Sequence, residues 1–177
     1  MGTLERGFTI VEIIIVIAVV AILSAFTIVG YGVVAQQSRD TKRRTDLESL
    51  TSAIKAWAND NAKTPLQTGG GYGGFGHGFV NTTSTDYPTN IATVLINTGN
   101  LAKDVADPKT PLNLGSYMFY PCTTAADNNR YGFFAKLEAP SAKDAATITA
   151  WQASSCTAEP TDAYYGMNYV RIFTHDN

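Results

Sequence analysis

Gly7-Phe8-Thr9-Ile10-Val11-Glu12 is followed by an uncharged run, Ile13 to Val34, broken only by small or weakly polar residues. At about 1.5 Å per residue the run makes a helix of roughly 33 Å, enough to cross a hydrocarbon core of about 30 Å. Glu12 then lies at or just inside the edge of that core. A charge at the centre of a membrane helix is disfavoured by roughly 2.5 to 3.5 kcal/mol, less near the interface, so the acid reads as a functional group with a cation at the same depth. A free α-amino group made by cutting after Gly7 supplies one. The alternative is an ordinary signal anchor whose early acid lies among the headgroups.

Helix signals continue from Val34 to Asn61 without a breaker. Leu47, Leu50, Ile54 and Trp57 fall three, four and three residues apart, which is one face of a helix. That stripe begins where the membrane-length run has ended, so it predicts a second apolar partner, the domain's own sheet. From Phe8 to Asn61 the helix is expected to be roughly 80 Å long. The charges between the two runs, Arg39, Asp40, Lys42, Arg43, Arg44, Asp46 and Glu48, read as a solvated face that can pair with neighbouring molecules in an assembly.

Residues 1–7 are too short for a secretory signal and lack its apolar region, so they read as a leader. Gly7, Phe8, Thr9 and Glu12, after such a leader and before an apolar helix, resemble the prepilin cleavage site of type IV pilins and type II secretion pseudopilins. The resemblance implies that a membrane-embedded prepilin peptidase cuts after Gly7 and N-methylates Phe8. It also implies that Glu12 meets the amine of a neighbouring subunit during assembly, setting axial register. The stretch from Ser38 to Leu47, with Asp60-Asn61 and Pro65, is similar to the region after the membrane span of pilins and major pseudopilins. One departure is the absence of the proline that many pilins carry along the apolar helix. Gly30 and Gly32 are the helix-weakening residues there, each unfavourable by about 1 kcal/mol relative to Ala.

Orientation draws on the same resemblance. Arg6 is the sole basic residue before the span, whereas Arg39, Lys42, Arg43 and Arg44 lie close behind it, which by the positive-inside rule alone points the head to the cytoplasm. The prepilin-like motif and the cysteine pair point outward, and Asp40, Asp46 and Glu48 can neutralise the basic cluster locally.

The chain has 177 residues and a formal charge of -2, so nothing in its overall charge argues for nucleic acid. Nine Tyr and eight Phe suit a small domain that buries large side chains. Cys122 and Cys156 read as one disulfide in an exported domain, two buried thiols being the alternative. Thr64-Pro65 and the glycines of residues 69–78 follow the helix. Gly71, Gly73 and Gly76 match a literal G-x-G-x-x-G, but no strand precedes and no helix follows, so a phosphate loop is rejected. The segment reads instead as a mobile loop whose Tyr72, Phe75 and Phe79 dock on the sheet or on another subunit, with His77 a plain loop residue.

Ile91, Val94, Leu95 and Ile96 predict a short helix stopped near Gly99. Strands are expected at Ser116 to Tyr120, Arg130 to Leu137 and Tyr169 to Phe173, with a capped helical turn from Ser141 and Asp144 through Trp151. Residues 127–130 read as a hairpin turn. Asp127, Asn129 and Asp162 are weak calcium candidates, since some pseudopilins bind calcium in their C-terminal loops, although no fixed ligand spacing is present. Beyond possible calcium, no cofactor is expected. No catalytic set emerges around His175, Cys122 or any serine.

The expected fold is α+β, a long N-terminal helix packed by its C-terminal half on a small antiparallel sheet. The expected segments are a leader (1–7), a polymerisation helix in membrane lipid (8–34), its amphipathic continuation (35–62) and a globular head (63–177). The function implied by the resemblance is a non-enzymatic, self-associating fibre subunit, stored in the inner membrane with its head outside and extracted by an assembly platform and ATPase. The alternatives are a membrane-anchored exported enzyme or binding domain, or a low-copy tip pilin that binds DNA or a surface.

Overall fold

In the computed structural model, residues 7–109, 116–122, 129–154 and 156–175 are described, with the backbone alone over 26–30. Two compact units succeed each other along the chain, Met1–Ser38 and Arg39–Asn177. Helix α1 (Ile10–Asn61) begins in the first and ends in the second.

Among the described residues no helix is long and apolar enough to cross a membrane. The expected span of 8–34 runs through residues 26–30, whose side chains lie outside the description. Within the first unit none of the described side chains of α1 is buried: Ile13, Ile14, Ile15, Val16 and Ile17 are successive residues, each 48 to 59 % exposed. Five consecutive residues point to every side of a helix, so this segment is apolar all round rather than striped.

The second unit is built on one antiparallel sheet in the order β1-β2-β3-β4, with β1 Gly78–Phe79, β2 Met118–Pro121, β3 Arg130–Ala135 and β4 Tyr169–Thr174. The expected α+β class is what the structure shows, with the last three strands within two residues of their expected ends. The short β1 was not expected, because its Gly-Phe sequence sits at the end of the glycine run.

Strand alternation sorts the aromatics to two faces. Phe119, Tyr131, Phe133 and Phe173 join Leu47, Leu50, Ile54 and Trp57 of α1, together with Ile91 and Leu95 of α2 (Ile91–Asn97). The helical stripe read from the sequence therefore meets the sheet as expected. Met118, Tyr120, Phe134 and Val170 face the other way, against Trp151 of α3 (Ala142–Ala153). Gly132 makes this second face possible: a Cβ there would lie 2.9 Å from the Trp151 ring and 2.8 Å from Val170 Cγ2. The bare strand position admits the indole, whose Nε1 donates to the Thr157 carbonyl at 2.8 Å.

Helix α3 starts where the sequence places it, with Ser141 Oγ accepting from Asp144 N and Asp144 Oδ2 accepting from Ser141 N, a reciprocal capping box. The end of α1 is less ordinary. Ala62 takes a left-handed φ of 50°, Lys63 N donates to Ala58 O at 3.0 Å and Ala62 N to Asn59 O at 3.3 Å. This is a Schellman stop with alanine where glycine is usual. The disulfide Cys122–Cys156, Cα atoms 4.6 Å apart, ties the end of β2 to the segment after α3.

The glycine-rich segment overturns the expectation of a mobile loop. Gly71 N donates to Thr89 O, Gly73 N to Asp86 O and Gly76 N to Gly70 O, all at 2.7 to 2.8 Å. A Cβ on Gly76 would lie 1.9 Å from Leu66 O, so the backbone there packs too closely for any other residue. The glycines are present for close approach as much as for freedom. Phe79, expected to dock from a loop, is buried as a strand residue of the sheet itself, whereas Tyr72 and Phe75 remain exposed.

Candidate functional site

At its N-terminal end α1 carries a cap built by its own motif. Glu12 N donates to Thr9 Oγ1 at 3.2 Å, while Thr9 N and Oγ1 approach Glu12 Oε2 at 3.4 and 3.5 Å. This is the reciprocal Thr-x-x-Glu capping box, and it places a carboxylate where the helix dipole is positive. The latter two distances are at the long end for hydrogen bonds, so the carboxylate is held loosely. Phe8, just ahead of the box, is 80 % exposed. The motif thus presents a loosely capped acid and a free aromatic, four residues apart, ahead of a helix apolar on every side.

The charges after the apolar run behave differently from the solvated face expected of them. Arg43 is 2 % exposed, and its guanidinium spans three carboxylates: Nε and Nη2 donate to Asp107 at 2.6 and 3.1 Å, and Nη1 to Asp40 at 2.7 Å and to Glu138 at 3.2 Å. Asp40 in turn accepts from the backbone N–H groups of Glu138 and Ala139 at 2.9 and 2.8 Å. Arg39 grips Glu138 with two bonds of 2.6 and 2.8 Å, and Arg44 grips Asp144 with two of 3.1 and 2.7 Å. Lys42 meets Asp46, which also accepts from the Tyr117 hydroxyl at 2.7 Å.

A buried arginine persists because its planar fork finds matching acceptors and its charge is matched in place. The arginines at the start of the second unit therefore form a collar that fastens α1 to three separate segments of the head. The Arg39 hydrogen bond, opposed by burial, lowers the Glu138 pKa to about 2, and the Arg44 hydrogen bond does the same for Asp144. Burial works against the Arg43 charge, but its bonds to Asp107 and Asp40 outweigh that and raise its pKa. Sequence reasoning allowed for neutralisation by Asp40, Asp46 and Glu48, of which Asp40 and Asp46 pair with the basic residues, and missed Asp107, Glu138 and Asp144. The available signal was a charged run directly before the apolar stripe of a helix already expected to pack.

The remaining candidates are scattered. Asp127 lies outside the described residues. Asn129 accepts the His175 N–H through its carbonyl, and Asp162 Oδ1 accepts from the N–H groups of Tyr164 and Tyr165, which makes it a turn former. Among the described residues no three His, Cys, Asp or Glu side chains gather as a metal set. The amides of Gly71, Gly73 and Gly76 are bound to backbone carbonyls, so they are not free to cradle a phosphate. His77 packs between Phe75 and Tyr120, ring centroids 6.3 and 5.4 Å away.

Residues 3–28 match the family model described as the Prokaryotic N-terminal methylation motif. No curated protein and no solved structure matches the chain. The motif implies processing by a prepilin peptidase, inner-membrane anchoring and export, and its bearers are usually non-enzymatic structural subunits. With the glycine, aromatic and acid at their offsets, and a long helix laid on a four-stranded antiparallel sheet, this chain carries a prepilin-type N-terminal methylation motif on a pilin-like α+β layout.

Proposed function

We propose that the chain is the structural subunit of a helical fibre, a type IV pilus or a type II secretion pseudopilus. It is cut between Gly7 and Phe8, N-methylated on Phe8, and held in lipid by residues 8–34 until an assembly platform and its ATPase extract it. The observation that carries this reading is the all-round exposure of apolar side chains from Ile10 to Leu23, behind a methylation motif. Each such side chain gains roughly 1.5 to 3 kcal/mol on leaving water, so the segment is stable only in lipid or against other apolar helices. A fibre of identical subunits provides the second environment.

Glu12 supplies the register. Its loose capping contacts to Thr9 satisfy the carboxylate in a single subunit and yield easily to a better partner, the α-amino group of a neighbouring Phe8. That exchange replaces long contacts from neutral donors by an ion pair in an apolar medium.

Mass spectrometry of fibres sheared from the native cell tests the reading. The expected species begins at N-methylated Phe8 and contains the Cys122–Cys156 link. Glu12→Ala is expected to leave membrane insertion and the folded head intact and to reduce sheared fibre at least tenfold, since a buried pair broken on one side is worth about 3 to 5 kcal/mol. Fibres built from chains that retain Met1, or undiminished fibre from Glu12→Ala, overturn it.

A further inference from the structure

The glycine-rich segment ends in a cleft to which the fibre reading above gives no role. Tyr72, Phe79, Tyr87 and Tyr165 line a space of about 340 Å³ with one carboxylate, Asp86, and hydroxyls of neighbouring Thr and Ser side chains. No lysine, arginine or histidine is among its described lining residues. The rings meet at steep angles: Tyr72 and Tyr87 at 72° with centroids 5.8 Å apart, and Phe79 and Tyr165 at 75° and 5.7 Å.

The arrangement is fixed in advance. Phe79 N donates to the Tyr87 hydroxyl at 3.0 Å, which positions that ring. Gly78 permits the contact, since a Cβ there would lie 2.6 Å from the Tyr87 hydroxyl, and its φ of +103° suits glycine alone. Gly73 N binds the Asp86 carbonyl at 2.8 Å, so the same glycine segment also holds the backbone of the acid. Burial first, and then the negative field of Glu159, raises the Tyr165 pKa. The ring stays neutral, and the surroundings are negative.

Aromatic faces carry partial negative charge and attract cations, most strongly where water is excluded. A primary ammonium has three N–H donors to satisfy, for which Asp86 and the neighbouring hydroxyls are acceptors but the four rings are not. A quaternary ammonium has no N–H and a weakly hydrated apolar surface, which suits several rings and one carboxylate. We propose that this cleft binds a small quaternary ammonium cation, with its trimethylammonium group among the tyrosines and its charge facing Asp86. Free choline and a phosphocholine headgroup share that chemistry. Asp86 and the lack of a lining cation disfavour a phosphate, so the free alcohol is the better occupant.

The test uses the full chain in maltoside micelles, titrated with choline and followed by saturation transfer to the ligand methyl protons and by amide shifts of residues 69–79. Choline is expected to saturate in the millimolar range, and its neutral isostere 3,3-dimethylbutan-1-ol to bind at least tenfold more weakly. Asp86→Asn and Tyr72→Ala, both at exposed positions, are expected to weaken choline about three- to tenfold with the melting temperature unchanged. Competition by phosphocholine or phosphatidylcholine vesicles as strong as that by choline keeps the cation site and makes a headgroup its source. Equal binding of the isostere, absence of saturation, or unchanged affinity in both variants overturns the proposal.

Discussion

The two parts of α1 show how one kind of secondary structure answers to two surroundings. From Ile13 to Ile17 every residue is apolar and every side of the helix is exposed, whereas from Leu47 to Trp57 the apolar residues recur at helical spacing and are buried on one side only. A continuous run specifies a medium that is apolar in all directions, and a stripe specifies a single flat partner. The charges follow the same division. Among the described residues Glu12 is held only by loose contacts at its own helix end, while Arg43, deep in the second unit, has each of its three guanidinium nitrogens on a carboxylate.

The severest way to break this contrast is at the collar. Arg43→Ala removes the guanidinium from buried Asp40 and Asp107, and one of the cations from Glu138, which keeps Arg39; it is expected to destabilise the head by about 3 to 5 kcal/mol, read as the denaturant midpoint. Arg43→Met, which keeps the bulk, is expected to be as damaging, because the carboxylates remain; a loss under about 1 kcal/mol in either would remove the collar from the account of stability.

A matched pair of substitutions then sharpens the comparison along the helix. Ile54→Ala, at a fully buried position, is expected to cost the head about 2 to 5 kcal/mol. Ile14→Ala, the same change at a position 55 % exposed, is expected to leave head unfolding unaltered and to act, if at all, on fibre yield. Equal effects of the two on head unfolding contradict the division drawn here.

Acid probes the collar without mutation. Glu138 and Asp144 have folded pKa values of about 2, below their ordinary 4.5 and 3.8, so their ion pairs contribute fully above about pH 4.5 and are lost as pH falls towards 2. Thermal melts across that window are expected to show a decline that Glu138→Gln flattens. A parallel decline in the variant assigns the acid sensitivity elsewhere.

The smallest expected effect lies at the end of the shared helix. Ala62 holds a left-handed conformation that disfavours any side chain by about 1 kcal/mol, so Ala62→Gly is expected to stabilise by a few tenths to about 1 kcal/mol. Destabilisation would mean that the Ala62 methyl group has packing contacts that outweigh the backbone strain.

Local chemistry carried much of this protein in plain sight. The Gly7-Phe8 junction with Glu12, the two apolar periods of α1, the Ser141 cap and the alternating aromatics of β2, β3 and β4 each depend on residues within a turn or a strand of one another. Sequence therefore determined the motif, the helix and the class of fold. Tertiary structure alone decided that Arg43 would meet Asp107 at a separation of 64 residues, Arg39 would meet Glu138 at 99, and Arg44 would meet Asp144 at 100. The physical reason is that a charged run reads alike whether water or a carboxylate satisfies it, until the chain's path brings the acids within reach. The glycine segment follows the same rule: its residues permit positive φ locally, but Thr89 and Asp86, which pin Gly71 and Gly73, are supplied by another stretch folded against it.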